Sequence, residues 1–285
     1  MSTIVDPIHA SSRGIAAVDA AEALARLEAA IRPRGRLLVA FSGGVDSGVL
    51  LAGARRVLGE GAIAITADSP SMPRRELEEA IRFAAALGAE HRVVRTDEIS
   101  LPQYARNDRD RCFWCKHTLF EICERIAAEE GLSIAYGYTC DDAGDHRPGH
   151  EAARRFGVVA PLADAGLGKS QIRAIARALD LELWDKPAAP CLSSRIPYGS
   201  EVTVDKLGMI EGMEALLRKL GFRICRARFD GTTMRIELEP ADIARAADPA
   251  VREALLAGAA RLGVPLLTLD LEGFRSGKLN RSDLQ

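Results

Sequence analysis

The stretch Leu37-Leu-Val-Ala-Phe-Ser-Gly-Gly-Val-Asp-Ser47 decides the fold. A short apolar run ends at Phe41, a Gly-rich turn follows, and apolar residues at helical spacing continue from about Ser47 to Leu58. The glycines let the backbone come close to a phosphate, and the start of the next helix offers unsatisfied N–H donors with a partial positive charge. Ser42 and Ser47 can donate hydroxyls to phosphate oxygens, while Asp46 suits a helix cap or a magnesium partner. A ligand-free turn would need only one or two of these residues. The full set after an apolar strand points to a nucleotide phosphate site.

Working outward, the same alternation recurs. The run Ala62 to Thr66 leads to a helix over Arg74–Leu87, and His91 to Val94 leads through a loop and a Cys-x-x-Cys segment into a helix ending near Glu130. Ile134 to Tyr138 precedes a helix around Glu151–Phe156, and a helix over Val18–Ile31 precedes the whole series. Short apolar strands alternating with helices imply right-handed βαβ units and a parallel sheet. Ligands bind such sheets at the carboxyl ends of the strands, so the loops after Phe41, Thr66, Val94 and Tyr138 are expected to face one crevice.

A helix over Ser170–Leu179 follows, then the proline-rich segment Lys186–Gly199, which reads as a connector. Beyond it the pattern changes to a helix (Val204–Leu220), two strands (Arg223–Phe229 and Thr233–Glu239) joined at Asp230-Gly231, a helix (Ile243–Leu262) and a last strand (Leu266–Leu271). The expected architecture is α/β: a loose arm over 1–17, a parallel-sheet domain over 18–186, and a connector with a smaller α+β domain over 187–285. Gly168-Lys169-Ser170 looks like the end of a Walker A motif, but Ala163 stands where its first glycine is required and no strand immediately precedes it. Ser170 is read there as a helix cap.

Composition sets the outer bounds. The chain has 285 residues, 47% hydrophobic and 27% charged, and its 38 basic and 40 acidic residues leave a net charge of -2. This is a globular composition long enough to bury a core. No apolar run reaches the ~20 residues of a membrane helix, and the N-terminus lacks the pattern of a signal peptide. The charge balance argues against a long nucleic-acid channel, and a cytoplasmic location without a membrane or nucleic-acid partner is expected.

Six cysteines in such a chain point to free thiols, metal or catalysis before disulfides. Cys112 and Cys115 form a Cys-x-x-Cys, and Cys191 lies far off in the connector. A structural zinc site would need a fourth ligand, such as Cys123, Cys140 or His117. A redox dithiol would use the pair alone, and an iron–sulfur cluster on three thiolates would leave one iron open. Cys123 and Cys225 read as small core residues; Cys140 ends the fourth strand.

Ser42–Ser47 resembles the Ser-Gly-Gly-x-Asp-Ser signature of the PP-loop ATP pyrophosphatases, which cleave ATP between the α and β phosphates and adenylate a substrate. That stretch is joined in order by Thr66–Ser69, Arg111–Lys116, Tyr138–Asp142, Asp145–Gly149, Ala165–Ser170 and Asp185–Gly199. With Arg226-x-Arg228 and Gly273–Asn280, the ordered set resembles the LarE family of pyridinium-3,5-bisthiocarboxylate mononucleotide synthases from about residue 18 to the end. The resemblance implies a PP-loop (adenine nucleotide alpha hydrolase-like) fold. It also implies ATP- and Mg²⁺-dependent adenylation of pyridinium-3,5-biscarboxylic acid mononucleotide, pyrophosphate release and exchange of oxygen for sulfur. The product is the precursor of the nickel-pincer cofactor of lactate racemase.

The resemblance also implies the sulfur source. In one type of member a cysteine at the place of Cys191 sacrifices its own sulfur; in the other, cysteines at the places of Cys112, Cys115 and Cys191 hold a [4Fe-4S] cluster that carries an extra sulfide. All three thiols are present here, which points to the cluster type supplied by a sulfide or sulfur donor. Two departures stand out: Cys140 where Asn is usual, and Lys278 where a small residue is expected. Within this reading Ser42, Gly43, Gly44, Asp46 and Ser47 hold ATP phosphates, and Thr66, Ala67 and Ser69 approach adenosine. Lys116, Asp142, Arg195, Arg226 and Arg228 serve the substrate, Arg226 and Arg228 facing one side of a strand. Phe113 and Trp114 shield the cluster. A homo-oligomer is expected. The competing classes are a tRNA thiolase of the same superfamily, which would call for a more basic surface, and a non-catalytic zinc or nucleotide-binding adaptor, at odds with an intact phosphate loop.

Overall fold

The computed structural model describes residues 7–142 and 148–275, with side chains from residue 19 onward. The chain forms two compact units. One comprises Met1–Asp68, Arg74–Thr96 and Cys115–Ala189; the other comprises Ser69–Pro73, Asp97–Trp114 and Pro190–Gln285. The change of unit after Ala189 falls in the proline-rich connector. The segments Ser69–Pro73 and Asp97–Trp114, each following a strand, group with the second unit, so neither unit is the contiguous span the sequence suggests.

In the first unit, β1 (Leu37–Ala40), β2 (Ala62–Asp68), β3 (Glu90–Arg95) and β4 (Ser133–Tyr136) form a parallel sheet in the order β3-β2-β1-β4. All four residues of β1 are buried, as a central strand covered on both faces requires. Its register sets Ala40 opposite Ile65 and Tyr136, so β1 and β4 end together while β2 runs on to Asp68. The helix α1 (Pro7–Ile31) buries Ala23, Leu27 and Ile31 at helical spacing. Its backbone is helical from Pro7, where a loose arm was expected; residues 1–6 of that arm lie outside the described residues. The helix α2 (Val45–Leu58) is buried continuously from Ser47 to Ala54, which makes it the core helix behind the phosphate loop. The helix α3 (Arg74–Ala86) follows β2 and buries Leu77, Ala80, Phe83 and Ala84.

The short α4 (Pro102–Ala105) belongs to the second unit. The helix α5 spans Arg111–Glu130, so Cys112 and Cys115 lie on its first two turns and not in a loop after the third strand. The sequence-based boundary fails because the helix starts early: Arg111 N–H donates to Asp108 O at 3.0 Å, and Phe113 N–H to Asp110 O at 2.7 Å. The helices α6 (Pro148–Arg155), α7 (Pro161–Asp164) and α8 (Lys169–Ala178) complete the first unit.

The second unit carries α9 (Val204–Lys219), whose Leu207, Ile210, Met213 and Leu217 are buried. Beyond it, β5 (Cys225–Phe229) and β6 (Thr233–Leu238) form the antiparallel hairpin expected at Asp230-Gly231. Asp230 Oδ1 accepts from Thr232 N–H at 2.8 Å and Thr233 N–H at 2.7 Å, closing the turn. The strand β7 (Leu266–Leu269) adds parallel to β6. The helix expected over Ile243–Leu262 is two, α10 (Ile243–Ala246) and α11 (Pro249–Arg261), because Pro249 cannot donate into a continuing helix.

Candidate active site

The phosphate loop runs from the end of β1 into α2. Gly43 takes a φ of +74°, and a Cβ there would stand 3.2 Å from Ala80 Cβ, so the loop needs glycine for both conformation and space. Gly44 is extended at the start of α2 and no side chain caps that end, which leaves the first-turn N–H groups facing the loop. Ser47 Oγ ties the loop together: it accepts from Ser42 N–H at 3.2 Å, donates to Gly44 O at 3.2 Å and lies 3.1 Å from Ser42 Oγ. This is a cradle of backbone donors and hydroxyls suited to an anion.

Charge is arranged around it. Lys169 Nζ donates to Asp46 Oδ2 at 2.6 Å and reaches Asp142 Oδ2 at 3.4 Å. Asp142 is buried, and the same oxygen accepts from Thr139 N–H at 3.1 Å and Thr139 Oγ1 at 2.8 Å. Lys169 N–H is fixed by Asp141 Oδ2 at 2.5 Å. A second ammonium, Lys186 Nζ, donates to Gly43 O at 3.0 Å while paired with Glu76 at 2.7 Å and Glu79 at 2.9 Å. Ser42, Gly43, Gly44, Asp46, Ser47 and Asp142 therefore belong to one constellation, which the sequence reading completes except for its two lysines.

The remaining nucleotide candidates sit differently. Thr66 is buried at the end of β2, where its hydroxyl donates to Phe41 O at 2.7 Å and lies 2.8 Å from His91 Nε2. Burial holds the His91 imidazole below its ordinary pKa. Thr66 thus ties β2 to Phe41 just after β1 and to His91 at the start of β3, and Ala67 follows it, half-buried. Ser69 lies in the second unit, its Oγ 2.8 Å from Ser71 Oγ, and Ser71 Oγ donates to buried Glu98 at 3.1 Å. Lys116 is half-buried on α5 with its ammonium 5.8 Å from the Phe120 ring centroid.

Cys112 and Cys115 are one turn apart on α5, Cys112 in the second unit and Cys115 in the first. Cys191 opens the turn Leu192–Arg195, and Ser71 O accepts from Leu192 N–H at 2.8 Å. Arg195 is buried: its Nε donates to Glu214 at 2.9 Å and its Nη1 to Cys191 O at 2.8 Å, so it shapes the backbone at Cys191. Arg228 is likewise buried and paired with Glu237 at 2.5 Å. Arg226 shares its strand face, remains half-buried, and holds its guanidinium 5.1 Å from the Phe274 ring centroid. Buried Phe113 and half-buried Trp114 meet edge to face at 5.1 Å, with the indole N–H donating to Asp110 at 3.0 Å.

No family model matches the chain. It is 36% identical over 260 residues, 90% of its length and 93% of the relative's, to the pyridinium-3,5-bisthiocarboxylic acid mononucleotide synthase of Lactiplantibacillus plantarum. The chain belongs to this synthase family. It is also 42% identical to an uncharacterized Synechocystis protein over 86% of its length and 92% of that protein's. A more distant likeness, 27% identity over 61% of the chain, links it to a component of the glutamine-hydrolyzing GMP synthase of Methanococcus maripaludis, 60% of whose length is covered. Membership in the synthase family makes the chain an enzyme, and its parallel-sheet unit is consistent with a PP-loop-like domain.

The synthase chain offers donors of the right kind for both implied metal groups: thiols for iron–sulfur chemistry and a half-exposed carboxylate, Asp46, for magnesium. Among the described residues, no group of three or more His, Cys, Asp or Glu side chains is placed to hold a metal ion. Cys140 donates weakly to Ala163 O at 3.7 Å. Asp145–Arg147 and Lys278 lie outside the described residues. No helix among the described residues is long and apolar enough to cross a membrane. Sequence alone does not single out Lys169, Lys186, Glu214 or Glu237. The Walker-like look of Gly168-Lys169-Ser170 hides a lysine whose partner, Asp46, lies 123 positions away.

Proposed function

We propose that this enzyme adenylates the carboxylates of pyridinium-3,5-biscarboxylic acid mononucleotide with ATP, releases pyrophosphate, and converts them to thiocarboxylates for the nickel-pincer cofactor. Kinship with the synthase over 90% of the chain carries the reading, and the Ser42–Ser47 cradle supports its ATP half. The N–H groups around Gly43 and Gly44, with Ser42 and Ser47, bind phosphate oxygens. Asp46 would hold Mg²⁺, and Lys169 offsets negative charge beside it. Thr66, Ala67 and Ser69 contribute to the adenosine side. Arg226, stacked on Phe274 yet half-exposed, suits the substrate phosphate, while Arg195 and Arg228 hold the Cys191 turn in place. Lys116 and Asp142 complete the polar lining.

Sulfur leaves from Cys191 or from a group bound there. Cys112, Cys115 and Cys191 would hold a [4Fe-4S] cluster, which when bound supplies an open iron site for sulfide. The second reading is sacrifice of the Cys191 sulfur itself, which needs that one thiol alone. The protein is read as a cytoplasmic homo-oligomer acting on a small nucleotide, without nucleic acid. The test is anaerobic purification with iron and sulfide analysis, then pyrophosphate assay and mass spectrometry after turnover. Cluster with intact Cys191 supports the catalytic type; Cys191 lighter by the elements of H₂S supports sacrifice. Absence of both pyrophosphate and thiocarboxylate sinks the proposal.

A further inference from the structure

Among the described residues two non-glycine positions take a positive φ, Asn107 at +60° and Asp180 at +52°. Asp180 is exposed just past α8, where it only turns the chain. Asn107 is fully buried, and its side chain is spent on the connector. Its Nδ2 donates to Pro197 O at 2.7 Å, Ser200 O at 3.0 Å and Ile196 O at 3.3 Å, two N–H groups shared among three carbonyls. Its Oδ1 accepts from Arg111, whose Nη1 also donates to Ser193 O at 3.0 Å. The backbone joins in: Asn107 O accepts from Gly199 N–H at 3.2 Å, and Ala105 O from Val202 N–H at 2.8 Å. All of these residues belong to the second unit.

Residues 196–203 form neither helix nor strand, so their carbonyls lack the partners that a ladder would supply. A flipped carboxamide would set Oδ1 against three carbonyls and Nδ2 against a guanidinium, so the partners fix its orientation. Glycine would meet the φ equally well; what asparagine adds is the carboxamide. The turn that carries Cys191 is held at its start by Ser71 O on Leu192 N–H and by Arg195 on Cys191 O. The stretch that leaves it, Ile196 to Ser200, is held by Asn107. We propose that Asn107 is a positioning residue for sulfur transfer. It clamps the exit of the Cys191 turn and, through Arg111 on Ser193 O, keeps that turn in one conformation. The inference rests on reading Cys191 as the place from which sulfur leaves. It asks nothing of ATP cleavage, whose Ser42–Ser47 loop belongs to the first unit.

The test compares two variants of the full-length protein, purified anaerobically. Asn107→Gly keeps the positive φ available and removes the carboxamide; Asn107→Asp keeps its shape and turns a carboxylate oxygen toward the three carbonyls. Asp180→Gly is the matched control for the backbone. Hydrogen exchange read by mass spectrometry, without substrate, is expected to be about tenfold faster over residues 192–200 in Asn107→Gly, with the β5–β6 hairpin unchanged. With ATP and substrate, thiocarboxylate formed per pyrophosphate released falls about tenfold while pyrophosphate release keeps its rate. Asn107→Asp falls further in that ratio, and Asp180→Gly matches the wild type. A general loss of folded protein lowers both products together and leaves the ratio where it was, so the ratio reports position and not stability. Unchanged exchange in Asn107→Gly overturns the clamp, and faster exchange with an unchanged ratio overturns the positioning role. A wild type that releases pyrophosphate and forms no thiocarboxylate sinks the sulfur reading and the positioning role with it, whereas the exchange result upholds or overturns the clamp by itself.

Discussion

The ammonium of Lys186 donates to the carbonyl of Gly43, the residue whose φ of +74° turns the phosphate loop. Glu76 and Glu79 on α3 hold that ammonium from the other side, so one lysine fixes the loop to the neighbouring helix. Lys186→Met leaves both carboxylates without their cation and Gly43 O without its donor. The expected loss is about 1–3 kcal/mol of stability and about tenfold in the KM for ATP. Lys186→Arg recovers most of the stability. Thermal melting and pyrophosphate release, measured side by side, check both.

Glu214 makes the second unit sensitive to acid. Burial alone would raise its carboxyl pKa, but Arg195, with Arg226 and Arg218, outweighs burial and holds it below 4.5. A carboxylate depressed in the folded state stabilises above its unfolded pKa, and the contribution is lost as pH falls through the folded value. Glu214→Gln should cost about 3–5 kcal/mol at pH 7 by stranding Arg195 in the interior. The gap between variant and wild type should narrow as pH drops below 4.5. Urea unfolding of the full chain across that range measures it, and a constant gap refutes the assignment.

The thiols sort themselves by burial. Desolvation pushes Cys123 up to about 12 and Cys225 up to about 11, the latter with help from Glu214. Iodoacetamide near neutral pH should therefore modify Cys112, Cys115, Cys140 and Cys191 and spare Cys123 and Cys225 until the protein unfolds. Peptide mapping before and after denaturation reads the result.

Cys191→Ala should abolish thiocarboxylate formation whichever sulfur source operates, while pyrophosphate release persists. Cys112→Ala separates the sources. Loss of multiple turnover, with iron content falling to background, fits a three-thiolate cluster. A retained single turnover in Cys112→Ala, with Cys191 converted to a lighter residue, fits sacrifice.

Much of the fold lies in local patterns. The apolar run to Phe41 and the glycines after it announce strand, loop and helix, and Asp230-Gly231 announces its hairpin. Three boundaries depart from the local pattern: the start of α1 at Pro7, the early start of α5 at Arg111 and the break at Pro249. The site is legible where neighbours in sequence are neighbours in space, as from Ser42 to Ser47. Lys169 and Lys186 are not, because the carboxylates and carbonyl that give them meaning lie on other elements. Arg195 shows the reverse: its sequence position beside Cys191 suggests substrate, whereas burial and Glu214 tie it to the turn.

Gly137 carries the last prediction. It follows β4, and a Cβ there would stand 2.8 Å from Ser47 N and 3.1 Å from Ser47 Cα, both backbone atoms of the first turn of α2. No side chain can rotate away to make room, so Gly137→Ala must push the start of α2, and the phosphate loop with it. The expected cost is about 1–3 kcal/mol, with a larger fall in pyrophosphate release than in melting temperature. Gly208→Ala on α9 is the matched control, since its Cβ meets nothing within 4 Å and helix propensity favours alanine by roughly 1 kcal/mol. Gly208→Ala should melt at or above the wild type with unchanged ATP turnover. If Gly137→Ala behaves the same way, close packing of β4 against the phosphate loop does not control the site.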